Sequence, residues 1–154
     1  MKTLSTGSPA PDFTLSDETG TPRTLSDYLG KGPVVLFFYP GAMTSGCTAE
    51  SCHFRDLAAE FDAVGAQRIG ISADTVAKQK EFSDTHSFDY PLLSDPDGAV
   101  ATAYGVKRRV LTPVKRATFV IAADATIAEV ITSEFNMTTH ADDALKVLQG
   151  AATR

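Results

Sequence analysis

The five residues Val34-Val35-Leu36-Phe37-Phe38 constrain the fold of this chain more than any other stretch. They are apolar without alternation and are β-branched or aromatic except for Leu36. A strand with one wet face alternates polar and apolar residues, whereas an unbroken apolar run suits a strand covered on both faces. Pro40-Gly41 ends the run, because proline has no N–H to continue a ladder and glycine accepts a sharp turn. The run therefore predicts a central strand with helices packed on both sides.

The flanking pattern supports an α/β chain. Pro9 to Leu15 reads as an incoming extended segment, Asp17-Glu18-Thr19-Gly20 as a turn, and Pro22 to Leu25 as a second short strand, together an N-terminal hairpin. Ser26 to Leu29 suits one helical turn. From Ser45 to Val64 one helix is expected, with Phe54, Leu57, Ala58, Phe61 and Val64 on a single apolar face and Gly65 as its stop. Arg68 to Ala73 reads as a strand, with Asp74 or Thr75 capping a helix that fades near His86. A short strand Tyr90 to Leu93, a turn Asp95-Pro96-Asp97-Gly98 and a short helix Val100 to Tyr104 follow. Ala117 to Ala122 and Thr126 to Thr132 suit two strands joined at Asp124-Ala125. Thr139-His140-Ala141-Asp142 resembles a capping box opening a terminal helix. Strand–helix alternation followed by a hairpin and a helix predicts a mixed central sheet flanked by helices.

With 154 residues the chain fits one domain, 1–154. Its net charge of −5 supplies no global attraction for nucleic acid or anionic lipid. The basic bunch Lys107-Arg108-Arg109 reads as a solvated loop. No window approaches the roughly 18 apolar residues of a membrane span. Met1-Lys2-Thr3 leads into polar residues rather than an apolar leader, which points to the cytoplasm.

The chain has two cysteines, Cys47 and Cys52, both on the predicted helix that follows the central strand. In a reducing compartment such a close pair points to reactivity or metal binding more than to a static staple. On an ideal helix Cys47 shares the buried face with Phe54, and Cys52 points outward. Their Cα atoms would stand roughly 8.6 Å apart. A disulfide needs Cα atoms within about 7 Å, so the pair cannot bond until the first turns unwind. Cys47 also sits at the helix mouth, where free N–H groups and the positive dipole end favour an anionic sulfur. Thr44, three residues earlier, can cap the helix or direct its hydroxyl at the sulfur.

Several readings of the pair stay open on residues alone. Cys47 can be an inert core thiol. Cys47, Cys52 and His53 offer three soft metal ligands, though in poor register for zinc. A thioredoxin-type exchange site would place two residues between its cysteines, not four. The fourth reading is a nucleophilic thiolate that attacks an electrophilic oxygen or sulfur. His53 itself reads as a surface histidine beside Cys52.

"PGAMTSGC", from Pro40 to Cys47, resembles the P-x-x-x-T-x-x-C motif of peroxiredoxins. "GCTAESCHFRD", with its second cysteine, together with "LSDPDG", "YGV" and "RATFVI", is similar to the peroxiredoxin Q or bacterioferritin comigratory protein group. The likeness spans nearly the whole chain. It implies a thioredoxin-like fold and thiol-dependent reduction of hydrogen peroxide and organic hydroperoxides, with no cofactor and no metal. In that resemblance Cys47 matches the peroxidatic cysteine and Cys52 the resolving one. Thr44 and Arg116 match the groups that bind the peroxide oxygens, Pro40 the residue shielding the sulfur, and Glu50 an acidic neighbour of the arginine. From pattern alone Arg116 is an exposed charge at the start of a strand.

The implied partners are a peroxide and a dithiol reductant such as thioredoxin, acting on a monomer or weak homodimer, with no nucleic acid or membrane. Gly41-Ala42-Met43 is apolar where the family is often charged, which predicts a greasier rim favouring organic hydroperoxides. Two alternatives accompany this reading: a one-cysteine peroxidase with an idle Cys52, and a redox-sensing or chaperone-like binding protein.

Overall fold

The computed structural model describes residues 3–108, 113–134 and 136–152. A two-stranded hairpin, β1 (Thr14–Ser16) and β2 (Pro22–Thr24), precedes the short helix α1 (Leu25–Leu29). Asp17 closes the hairpin turn, its carboxylate accepting from the Thr19 and Thr21 amides and from Arg23 Nε. A five-stranded sheet follows, with β3 (Val34–Phe38) at its centre and the order β5-β4-β3-β6-β7. β4 (Gln67–Ser72) and β5 (Leu92–Ser94) run parallel to β3, whereas β6 (Ala117–Ile121) is antiparallel to β3 and β7 (Ile127–Thr132) antiparallel to β6. This mixed sheet with its separate hairpin is the thioredoxin-like fold expected from the sequence.

All five residues of β3 are buried, and they alternate between two cores. Val34, Leu36 and Phe38 join Ile69, Ile71, Tyr104 and Phe119 on one side. Val35, Phe37 and the following Tyr39 join Phe54, Phe61, Phe82 and Leu145 on the other. The second core carries the cysteine helix. At its heart Phe37 stacks on Phe54, with ring centroids 4.2 Å apart and planes within 9°. Gly70, the register partner of Phe37 on β4, makes room for that ring, since a Cβ there would lie 2.9 Å from the Phe37 Cζ.

The long helix expected over Ser45 to Val64 is instead two helices, α2 (Ser45–Asp56) and α3 (Ala58–Ala63). Leu57 between them has φ −96° and ψ 19°, outside the helical well. The Phe54 carbonyl, which would accept from Ala58 in a continuous helix, receives Arg68 Nη1 at 2.8 Å instead. α4 (Val76–His86) starts as expected, with the Thr75 side chain accepting from the Lys78 amide. α5 (Ala99–Ala103) follows the Asp95–Gly98 turn, closed by the Gly98 amide donating to the Asp95 carbonyl.

α6 (Thr139–Ala152) already includes Thr139, so the capping-box reading fails. The Asp142 carboxylate does not reach back along its own helix; it meets His53 Nε2 on α2 at 2.7 Å. Among the described residues no helix is long and apolar enough to cross a membrane.

Candidate active site

The loop from Pro40 to Thr44 carries the chain from the end of β3 into α2. Its middle is pinned by the Ala42 amide, which donates to Asp74 at 2.7 Å; the same carboxylate oxygen accepts the Ser72 hydroxyl. Next to that pin Met43 takes φ 68°, a left-handed conformation unusual for a side-chain-bearing residue, and stays 38% exposed. Thr44 is the residue before the helix, with extended φ and ψ, but its hydroxyl does not cap. It donates to the Gly41 carbonyl at 2.8 Å, which leaves its lone pairs free toward solvent. Pro40 is half-buried beside the loop.

Cys47 lies in the first turn of α2 and is fully buried. Helix geometry leaves the first amides of that turn without intrahelical acceptors, so they form a donor surface at the helix mouth. The sulfur accepts a hydrogen bond from Arg116 Nη2 at 3.3 Å. The β3–β6 register explains that approach. Phe38 pairs with Ala117, so Arg116, one residue earlier, leaves the sheet at the edge where β3 hands over to the loop. Gly46 keeps the path clear, since a Cβ there would stand 3.3 Å from Arg116 Nη2 and from Met137 Sδ. Arg116 is therefore buried, not the exposed strand-end charge that pattern alone suggests.

Glu50, one turn along from Cys47, is equally buried and accepts Arg116 Nη1 at 2.8 Å. Burial raises the Glu50 carboxyl to about 7, with Arg116 pulling the other way. Burial disfavours the charge on Arg116, but Glu50 and Cys47 outweigh it and hold the guanidinium more firmly protonated than usual. Arg116 Nε and Glu50 Oε2 are buried and have no hydrogen-bond partner among the described residues. The Arg116 amide donates to Glu134, which also receives Arg108 Nη2. This pairing draws Arg108 out of the solvated bunch expected at 107–109, of which Arg109 lies outside the described residues.

Cys52 is half-buried on the same unbroken helix, and both thiols are free. Burial pushes the Cys52 thiol up, only partly offset by Arg55. Around it the helix is tied to other elements. Tyr90 donates its hydroxyl to the Ser51 carbonyl at 2.6 Å, and Arg55 Nη1 donates to the His86 carbonyl at 2.7 Å. His53 is not a bare surface histidine, because it bridges to Asp142.

The structure thus brings together Cys47, Glu50 and Arg116 in direct contact, with Thr44 and Pro40 on the loop beside them. Sequence reading missed His140. It is fully buried, and its Nδ1 stands 3.6 Å from Glu50 Oε2. No local signal marks it, since it lies 90 residues beyond Glu50 on another helix. The arrangement offers a nucleophilic sulfur, a fixed positive charge beside it and a fan of amide donors, which together suit attack on a polar O–O bond.

A family model described as the AhpC/TSA family matches residues 6–130. A putative peroxiredoxin of Mycobacterium tuberculosis is 58% identical over 149 residues, covering 95% of this chain and 97% of that protein. The chloroplastic peroxiredoxin Q of japonica rice is 38% identical over 147 residues, covering 95% of this chain and 67% of that protein. Among solved structures, peroxidoxin BcpB of M. tuberculosis superposes with a TM-score of 0.93 at 58% identity, covering 96% of this chain and 97% of that one. A Xanthomonas campestris bacterioferritin comigratory protein, solved in connection with its alkyl peroxide reduction activity, gives 0.83 at 31% identity, over 91% and 92%.

Proposed function

Given that the chain belongs to the AhpC/TSA family and to the peroxiredoxins within it, and so is a thiol peroxidase, we propose how its own residues divide the work. Residues 1–154 act as one domain. Cys47 is the peroxidatic nucleophile. Its thiolate attacks one oxygen of a hydroperoxide, the O–O bond breaks, and the leaving oxygen takes a proton to depart as water or an alcohol. Cys47 is left as a sulfenic acid. Arg116, in contact with the sulfur, stabilises charge moving along the breaking bond, as donors of an oxyanion hole do. The first amides of α2 and the Thr44 hydroxyl receive the peroxide oxygens, and Pro40 shields the sulfur from bulk water.

Cys52 then attacks the sulfenic sulfur and expels water, forming an intrachain disulfide. An external dithiol such as thioredoxin reduces it by exchange. The intact helix holds the two cysteines roughly 8.6 Å apart at Cα, so this step requires α2 to unwind locally. The same cycle suits a thiol-reducing compartment, the cytoplasm. Exposed Met43, buried Ala42 and the nearby Met137 give the pocket an apolar rim. Organic hydroperoxides are therefore preferred over hydrogen peroxide, as the activity named for the X. campestris relative also suggests.

The observation that carries this reading is the 3.3 Å contact between Arg116 Nη2 and a fully buried Cys47 Sγ. The test is peroxide consumption coupled to thioredoxin for the wild type, Cys47→Ser and Cys52→Ser. Both variants should lose turnover. Full turnover in Cys47→Ser overturns the reading. Turnover of Cys52→Ser with a monothiol but not with thioredoxin is expected; full thioredoxin-coupled turnover there removes Cys52 from the cycle.

A further inference from the structure

The loop that carries Thr44 is held from behind by a buried polar chain that the cycle above does not use. The chain starts at Gln79 on α4, which is fully buried. Gln79 Nε2 lies 2.7 Å from the Leu93 carbonyl and 2.9 Å from Ser72 Oγ. A carbonyl only accepts, so the amide nitrogen faces it, and the Gln79 oxygen is left to accept the Tyr39 hydroxyl. Ser72 Oγ accepts from Gln79 Nε2 and from the Asp74 amide, and donates its own proton to Asp74 Oδ2 at 2.7 Å. Ser94 Oγ holds the Asp74 carbonyl at 2.6 Å. Each donor direction is thereby fixed. The chain ends on one carboxylate oxygen, whose second bond comes from the Ala42 amide at 2.7 Å.

We infer that Asp74 is a positioning residue for the peroxide reaction: through the single peptide unit Gly41–Ala42 it sets the direction of the Thr44 hydroxyl at the mouth of α2. The inference rests on the peroxide-binding role proposed for Thr44 beside Cys47.

The geometry of one amide gives the reason. The Gly41 carbonyl and the Ala42 N–H belong to the same planar trans unit, so they point in opposite directions. Asp74 holds the N–H end, and the Thr44 hydroxyl donates to the carbonyl end at 2.8 Å. Turning that plane breaks both bonds together. While it is held, the Thr44 proton is committed to the carbonyl, and the Thr44 lone pairs are left to accept a hydroperoxide O–H. A carboxylate on the N–H also polarises the amide and strengthens its carbonyl as an acceptor. The next residue shows why the loop needs an outside hold. Met43 takes φ 68°, unfavourable for a residue with a side chain, so the loop would relax without a fixed point beside it. Among the described residues the Asp74 carboxylate bonds to Ala42 and Ser72, not to Cys47 or Arg116, so its effect must pass through the loop.

The test is the second-order rate of Cys47 sulfenate formation under a limiting alkyl hydroperoxide. Thr44→Val should slow it by about 10²-fold, the scale for losing one hydrogen-bonding group from a reaction site. Asp74→Ala should slow it about tenfold through misplacement of that group. Because Asp74 acts through Thr44, the double variant should be no more than about twofold slower than Thr44→Val alone. Asp74→Asn, whose amide oxygen can accept both donors, should return to within about threefold of wild type. A residue that only supported the fold would cost the same factor with or without Thr44. Multiplied losses in the double variant overturn the inference, and so does Asp74→Ala at the wild-type rate or Asp74→Asn as slow as Asp74→Ala. Should Asp74→Ala not fold, hydrogen exchange of the reduced wild type reads the hold directly: the Ala42 amide should exchange at least about tenfold more slowly than an open loop amide, and an unprotected amide overturns the inference equally. Full-rate Thr44→Val would remove Thr44 from the reaction and this inference with it, while leaving Cys47 as the nucleophile. Failure of the wild type to form any Cys47 sulfenate would instead sink the peroxidase assignment.

Discussion

The two halves of α2 are held to the rest of the molecule in different ways. The C-terminal half is tied by four separate elements: Tyr90 to Ser51, Arg68 to Phe54, His86 to Arg55 and Asp142 to His53. The N-terminal half, with Cys47 and Glu50, is hydrogen-bonded to other elements, among the described residues, through the Arg116 side chain, and follows a loop with a left-handed methionine. Cys52 sits in the anchored half and Cys47 in the tethered one. The helix must unwind for these sulfurs to meet, and the cheaper end to unwind is the one with fewer partners. The difference teaches that the arginine in contact with the Cys47 sulfur also holds the end of the helix that the proposed disulfide step would unwind.

The sharpest way to break this comparison is Arg116→Lys. Cys47 oxidation should slow by about 10²–10³-fold, the scale for losing one transition-state donor, because an ammonium cannot serve sulfur and Glu50 in a fixed fork. Stopped-flow reaction with limiting peroxide measures it; a loss under threefold would show that the helix mouth alone suffices.

Glu50→Gln tests the tethered half through stability. Between pH 4.5 and 7 the unfolded carboxyl is ionised while the folded one keeps its proton, so wild-type stability falls as pH rises through that window. The stability advantage of the wild type over Glu50→Gln should therefore shrink by about 3 kcal/mol across it, at roughly 1.4 kcal/mol per pH unit. Urea unfolding at several pH values would read it, and a constant difference would refute the buried protonated state.

Arg68→Met probes the anchored half. It strips the Phe54 carbonyl and Asp89 of a donor and should cost about 2 kcal/mol. Cys47 oxidation should stay within about twofold of wild type, although the guanidinium over the Tyr90 ring is lost, because Arg68 contacts neither Cys47 nor Arg116. A slowdown comparable to that of Arg116→Lys would mean that the halves are not independent. The smallest effect belongs to Met43→Gly, which relieves the left-handed strain at an exposed side chain. Thermal melting should show a gain of up to about 1 kcal/mol, and the preference for alkyl over hydrogen peroxide should shrink.

How much of this was legible in the chain depends on how far apart the partners lie. The covered strand Val34–Phe38 and the start of the cysteine helix at Ser45 are local patterns, and both stand where expected. Arg116 could be singled out only through family resemblance, because its burial follows from the register of β6 against β3, which periodicity does not encode. The break at Leu57 was invisible because it depends on a guanidinium from β4 claiming a helix carbonyl. The capping-box pattern at Thr139 misled for a related reason, since Asp142 found a stronger partner across the helix pair in His53. His140 carries no pattern of its own and acquires meaning only when α6 is laid over the cysteine helix.

The bare backbone at Gly70 has a reach beyond its strand. Even an alanine methyl there would strike the Phe37 ring, the floor on which Phe54 seats the cysteine helix. Such a change touches neither cysteine, yet it would shift the helix that carries Cys47. A variant at this site would read as a catalytic defect in an assay and as a packing fault only in a structure.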